Sequence, residues 1–209
     1  MEYMNYLQFR EQWHSLGCFN IYQVRAWRAD FDRTNLSRWV KRGYLARIRQ
    51  DLYAFSDMVS QPDAARYVAS TIYSHSYISL HAALAFFGII PEAVTKITCI
   101  TTMRTTSYSN VFGEFSYQTV KPKIFFGYTQ MSMPSGGSYL MALPEKAMVD
   151  LLYLYPQYGT KETLLDLRFD DDWMQEELNI ERLLDFASRC DSKSLQKRVD
   201  LLINTYLHD

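Results

Sequence analysis

Apolar positions in the first third of the chain recur at helical spacing. Tyr6, Phe9, Trp13 and Leu16 make one stripe that Gly17 ends, which predicts a first helix over residues 6–16. Asn20 can cap a second helix, residues 21–28, that buries Ile21, Val24 and Trp27. A third runs from Asp32, a good N-cap, to Gly43, which sits where a left-handed residue is wanted. Within it Leu36, Trp39 and Val40 fall at i, i+3 and i+4 and form a narrow apolar face. The opposite face carries Thr34, Arg38 and Lys41, flanked by Asn35, Ser37 and Arg42. Alternation then takes over: residues 44–49 and 52–55, around Gln50-Asp51, predict a hairpin whose turn-side residues Arg47, Arg49 and Gln50 are polar or cationic.

After a polar linker over residues 56–61, Pro62 opens another helix at its first turn, with Ala64, Ala65, Val68, Ala69 and Ile72 as packing positions. Ser79 as N-cap and Gly88 as C′ residue bracket a mostly apolar, hence buried, helix. From Lys96 the period drops to two. Residues 96–102, 112–120, 124–131 and 139–142 read as strands, the last after a Gly136-Gly137 turn. The Ser/Thr-rich stretch 103–110, with Arg104, reads as a mobile loop. Pro144 starts a strong helix to residue 155, with Glu145 in its first turn and Ala147, Met148, Leu151, Leu152 and Tyr153 at core spacing. Residues 161–168, 180–190 and 195–207 continue as acidic helices. The pattern gives an α+β fold class. A winged helix-turn-helix over residues 1–57 precedes an α+β domain over 62–209, with a small, mostly antiparallel sheet and helices at the C-terminal end.

Composition refines this. The net charge is -1, but the charge is uneven. Arg25, Arg28, Arg33, Arg38, Lys41, Arg42, Arg47 and Arg49 face only Asp30 and Asp32, whereas Asp170, Asp171, Asp172, Glu176, Glu177 and Glu181 outweigh Arg168, Arg182 and Arg189. A basic functional end and a solvating acidic end are implied. A solvated face explains one basic helix alone. A basic helix followed directly by a basic hairpin is the arrangement in which a helix enters the major groove and a wing touches the flanking backbone. Cys18, Cys99 and Cys190 are odd in number and far apart, so neither a disulfide framework nor a metal pair is expected. The first four residues do not start a signal peptide, and no apolar stretch approaches the ~20 residues of a membrane span, so a cytoplasmic protein is expected.

Other chemistry is less well marked. His14, His75, His81 and His208 lack metal-ligand spacing, and His81 reads as a packed helical residue. Glu145-Lys146 and Asp150 read as a dipole-favoured carboxylate and a solvated or paired lysine rather than as acid/base machinery. Glu114 and Lys121, on or beside a strand, keep open a metal-dependent nuclease delivered by the winged helix. Gly136-Gly137-Ser138 is flanked by strands and does not open a helix as a phosphate loop does. The Asp170-Asp171-Asp172 run reads as a solvated turn and helix start.

Three blocks carry a family resemblance. Residues 36–49, Leu-Ser-Arg-Trp-Val-Lys-Arg-Gly-Tyr-Leu-Ala-Arg-Ile-Arg, and Leu52-Tyr53-Ala54-Phe55 resemble the basic helix and Tyr-Ala-ending wing of AbiEi-type antitoxins. Residues 77–84 with Phe87-Gly88-Ile89-Ile90-Pro91-Glu92 resemble that family's second block, and residues 143–152, Leu-Pro-Glu-Lys-Ala-Met-Val-Asp-Leu-Leu, its third. One departure is Gln50-Asp51, where the family usually has a glycine at the hairpin tip; the acidic tail lies outside the pattern. The resemblance implies the antitoxin of a type IV toxin–antitoxin system. Such a regulator represses its own operon through the winged helix and counteracts a nucleotidyltransferase toxin, usually without a stable complex. Residues and resemblance together give the expectation of a non-enzymatic regulator that binds double-stranded operator DNA and needs no cofactor or membrane, with its oligomeric state left open. The DNA-contacting residues are expected to be Arg33, Thr34, Asn35, Ser37, Arg38, Lys41, Arg42, Arg47 and Arg49. A protein-docking module is a further alternative.

Overall fold

A computed structural model describes residues 5–134 and 136–207. The first four residues and His208 lie outside these stretches. The chain is mixed α+β, with ten α-helices and two sheets among the described residues.

The amino-terminal part contains α1 (Tyr6–Trp13), β1 (Cys18–Asn20), α2 (Ile21–Trp27), α3 (Thr34–Lys41), β2 (Leu45–Arg49) and β3 (Leu52–Phe55). Capping boxes start both α1 and α2: Asn5 pairs reciprocally with Gln8, and Asn20 with Gln23. The first apolar stripe runs on as a 3-10 turn over His14–Leu16, and Leu16 stays 47% exposed. Trp27, expected inside, is 43% exposed, because α2 ends there and only Ile21 and Val24 face inward. The short β1 adds a third strand to the hairpin, in the order β1-β3-β2, all antiparallel. Asp51 at the hairpin tip takes φ +60°, which supplies the left-handed residue without glycine.

Phe9 sits at the middle of the first core, with ring centroids of Trp39, Phe19, Phe31, Trp13 and Phe55 between 4.7 and 6.3 Å away. Phe19, Leu45, Tyr53 and Phe55 face this core from the three-stranded sheet. Cys18, Ile48, Leu52 and Ala54 face the other way and join the core of the rest of the chain. The linker is no free tether either: it is a 3-10 turn over Ser56–Ser60 with Met58 buried in the second core.

The remainder contains α4 (Ala64–Ile72), β4 (Ser76–Ile78), α5 (Leu80–Phe86), β5 (Lys96–Thr101), β6 (Thr106–Asn110), β7 (Gly113–Thr119), β8 (Tyr128–Ser132), β9 (Ser138–Ala142), α6 (Pro144–Leu154), α7 (Lys161–Leu165), α8 (Asp171–Glu176), α9 (Ile180–Arg189) and α10 (Lys193–Tyr206). The sheet has six strands, in the order β6-β7-β5-β4-β9-β8. Pairs β6·β7, β4·β5 and β8·β9 are antiparallel, while β5·β7 and β4·β9 are parallel. Helix α4 lies over the face carrying Ile78, Cys99 and Tyr117, whose hydroxyl donates to the Ala69 carbonyl at 2.8 Å. Helix α6 lies over the opposite face, where Tyr77 points.

Three expectations are corrected here. The stretch 103–110 is not a loop: its second half is edge strand β6, a polar strand whose one large ring, Tyr108, packs on Tyr117. Residues 124–131 are not one strand, because a 3-10 turn at Pro122–Ile124 delays pairing until Tyr128. Pro62 does not open α4, which begins at Ala64 after Asp63 takes φ +64°.

Candidate nucleic-acid interface

Helix α3 is seated by its apolar edge: Leu36 is wholly buried and Trp39 nearly so, each side chain contributing roughly 1.5–3 kcal/mol of burial. Both ends are fixed. The Asp32 carboxylate accepts the Thr34 amide (2.9 Å) and hydroxyl (2.6 Å), and the same two hydrogen bonds hold that carboxyl below its usual range. At the far end Gly43 takes φ +74°, the Gly43 amide donates to the Val40 carbonyl, and the Tyr44 amide donates to the Trp39 carbonyl. That is a Schellman motif, and Tyr44 then stacks on Tyr6 at 4.5 Å. The helix is thereby clamped, and its outward edge is set.

Thr34, Ser37, Arg38, Lys41 and Arg42 are exposed on that edge, as are Arg33 before the helix and Arg47 and Arg49 on the hairpin. Asn35 is the exception. It is 6% exposed, so it cannot reach a base as expected; its Oδ1 accepts from Arg38 Nη2 at 2.7 Å and aims that guanidinium. Arg33 is also committed, to an ion pair with Asp51 at the hairpin tip, which ties the start of α3 to the turn between β2 and β3. Arg47 Nε donates to the Arg49 carbonyl (3.4 Å). Among the described residues no ion pair holds Arg38, Lys41, Arg42, Arg47 or Arg49, so these cations are open to an external anion.

The hairpin is not a free wing. Asn110 Nδ2 of β6 donates to the Ile48 carbonyl at 3.2 Å, and the Tyr67 hydroxyl of α4 donates to the Leu16 carbonyl at 2.9 Å. On the 3-10 linker, Asp57 accepts from Arg10 (2.7 Å) and lies 2.9 Å from His14 Nε2. Burial works to raise the Asp57 carboxyl, but His14 and Arg10 outweigh it and hold the group low.

The third resembling block sits elsewhere, inside the molecule. Glu145, Lys146 and Asp150 of α6 are all 0% exposed. Lys146 Nζ bonds Asp150 Oδ1, with Phe126 and Tyr77 rings 4.9 and 5.5 Å from the ammonium. Asp150 Oδ2 accepts from Tyr77 (2.9 Å) and Ser79 (2.8 Å). Burial pushes the Asp150 carboxyl up, against the pull of Lys146 and both hydroxyls. Glu145 accepts two bonds from Arg182, both 2.8 Å, and one from the Asn179 amide at 3.1 Å. Lys146 is thus paired and dry rather than solvated. Ser79 gives its hydroxyl to Asp150 instead of capping α5, and the next residue, buried Leu80, is forced to φ +57°. That strain, of order 1–2 kcal/mol, is held by Thr98, whose carbonyl accepts the Ser79 amide and whose hydroxyl donates to the Ser79 carbonyl. The Lys146–Asp150–Tyr77–Ser79 group braces α6 against β4 and is closed to solvent, all four residues being 0% exposed.

Glu114 and Lys121 are exposed, with Glu114 opposite Lys96 in the β5·β7 register. Among the described residues no three His, Cys, Asp or Glu side chains gather as a metal site would require. His81 is half-buried on α5, its imidazole held low by that burial. Asp170 caps α8 by accepting the Trp173 amide at 2.8 Å, as a helix start should. No helix among the described residues is long and apolar enough to cross a membrane. Neither a protein-family model nor a curated protein matches the chain.

Proposed function

We propose that the amino-terminal part is a winged helix-turn-helix and that the chain is a DNA-binding transcriptional regulator, the antitoxin of a type IV toxin–antitoxin pair. In this reading it represses its own operon and counteracts a nucleotidyltransferase toxin. The observation that carries the DNA-binding part is the outward edge of α3. Arg38 and Lys41 stand exposed and, among the described residues, in no ion pair, beside Thr34 and Ser37, on a helix anchored by Leu36 and Trp39 and flanked by Arg47 and Arg49. Arg38 and Lys41 face the major groove, Asn35 holds Arg38 in position, and the hairpin arginines take the flanking phosphates. The antitoxin part rests on the likeness of the three sequence blocks.

The test is a fluorescence-anisotropy titration of the full chain on duplex from upstream of its own gene. Arg38→Ala combined with Lys41→Ala lowers affinity at least tenfold, on the order of 1–3 kcal/mol per lost base contact. Arg47→Ala instead reduces the salt slope by about one. Unchanged affinity of the double variant refutes the DNA-binding assignment. Growth rescue on co-expression with a neighbouring nucleotidyltransferase gene tests the antitoxin assignment, and failure to rescue counts against it.

A further inference from the structure

The seam beside the hairpin has a composition of its own. We propose that the nucleic-acid surface crosses this seam, so that Arg104, with Tyr73 and Tyr108 lying between it and Arg49, receives the duplex backbone beyond the stretch read by α3. The proposal rests on the DNA-binding reading above and extends its footprint to the second part of the chain.

The placement follows from a run of contacts. Arg33 at the start of α3 is paired with Asp51 at the hairpin tip, and Arg49 stands two residues before Asp51. Arg49 lines one cleft with Thr71, Ile72 and Ser74 at the end of α4. The Tyr117 ring lies 4.9 Å from Tyr73 at the end of α4 and 6.0 Å from Tyr108 on β6. The Tyr73 hydroxyl donates to the Arg104 carbonyl at 3.1 Å, and Thr106, two residues on, is the register partner of Tyr117. The Tyr73–Tyr117–Tyr108 cluster therefore holds the Arg104 backbone beside the end of α4 that Arg49 also borders.

The chemistry is that of a backbone contact. Arg104 is exposed and, among the described residues, forms no ion pair. Ser107 and Ser109 on β6 are exposed and supply hydroxyl donors, the Thr105 hydroxyl being engaged with that of Thr119 (2.8 Å), while Tyr73 and Tyr108 stay half-exposed. Of the acidic groups nearby, Asp51 is occupied by Arg33, and Glu114 lies toward the Asn110 end of β6 with Lys96 across the ladder. A guanidinium just before an edge strand and hydroxyl groups along it suit phosphate oxygens. The seam is also held by packing and hydrogen bonds, so Arg104 keeps a fixed offset from α3.

The experiment titrates the full chain on the upstream duplex over a series of KCl concentrations. Arg104→Gln is expected to reduce the magnitude of the log–log salt slope by about 0.9, the value of one released phosphate counterion. Arg104→Lys retains the slope, and Lys161→Gln, an exposed cation on α7, leaves it unchanged. Unaltered melting temperatures establish that each variant folds. Arg104→Gln superimposing on the wild type, while the Arg38 and Lys41 double variant binds weakly, overturns the extended footprint alone. Binding that is indifferent to Arg38 and Lys41 overturns the reading beneath it.

Discussion

The buried Lys146–Asp150 pair makes a prediction with two opposite signs. Replacing Asp150 by Asn keeps an oxygen for Tyr77 and Ser79 but strands the ammonium among Tyr77, Phe126 and the α6 backbone, with no water to serve it. The amine can stay inside only by releasing its proton. For a lysine that ordinarily titrates near 10.4, this costs about 4 kcal/mol at about pH 7.5. The unfolded variant then holds one more proton than the folded one, so its stability rises with pH by about 1.4 kcal/mol per unit. Lys146→Met strands the carboxylate instead. Burial already pushes Asp150 up, so the acid takes a proton at a cost of about 5 kcal/mol at the same pH, and stability falls as pH rises. Losses of this size match the roughly 3–5 kcal/mol typical of breaking a buried pair, and are a large share of a 5–15 kcal/mol total. Urea denaturation between about pH 6.5 and 9 reads both slopes, at constant m. The double variant Lys146→Met/Asp150→Asn should lose both slopes and regain much of the stability. Slopes of the same sign, or losses below about 1 kcal/mol in both single variants, would show that the pair is not the dry brace described above.

Three further outcomes follow. Gly43→Ala meets no atom within 4 Å, so its cost is that of a side chain at φ +74°, about 1 kcal/mol, read as a lower urea midpoint. Burial raises the Cys18 thiol to about 12, so iodoacetamide at about pH 8 should label it only after denaturation; rapid native labelling would contradict its packing. The lowered Asp57 carboxyl stabilises the fold fully above the ordinary carboxylate value of about 3.9 and loses that contribution as pH falls through its folded range. Asp57→Asn should therefore flatten the acid side of a melting-temperature profile taken between about pH 6 and 2.5, and an unchanged profile would count against the Arg10–His14–Asp57 contact.

Helix α3 was legible because two independent signals agree, the i, i+3, i+4 seat of Leu36, Trp39 and Val40 and a glycine placed to end it. Asn35 was misplaced because a polar residue near a helix start looks solvated. Its spacing of three from Arg38 was the available hint that it serves the guanidinium. Strand β1 has only three residues, too few to show alternation. Strand β6 hides its period because only Tyr108 marks the inner face among serines, threonine and asparagine. For Lys146 the helix-start position leaves a solvated and a paired lysine both open; Asp150 one turn later, amid apolar neighbours, is the signal for the paired interior charge that the structure shows. The double-sided hairpin was half visible: Leu45, Tyr53 and Phe55 account for one face, but Ile48, Leu52 and Ala54 are a second apolar set whose partner is far along the chain.

That shared lamina of three strands governs how the molecule can be taken apart. A fragment ending at residue 57 would bare Cys18, Ile48, Leu52 and Ala54 as a greasy strip beside an open strand edge, an invitation to self-association. Dissecting the proposed nucleic-acid face from its neighbour by simple truncation would thus report on stickiness rather than recognition. Point substitutions in the intact chain are the cleaner instrument, and heating should dissolve both cores in a single event.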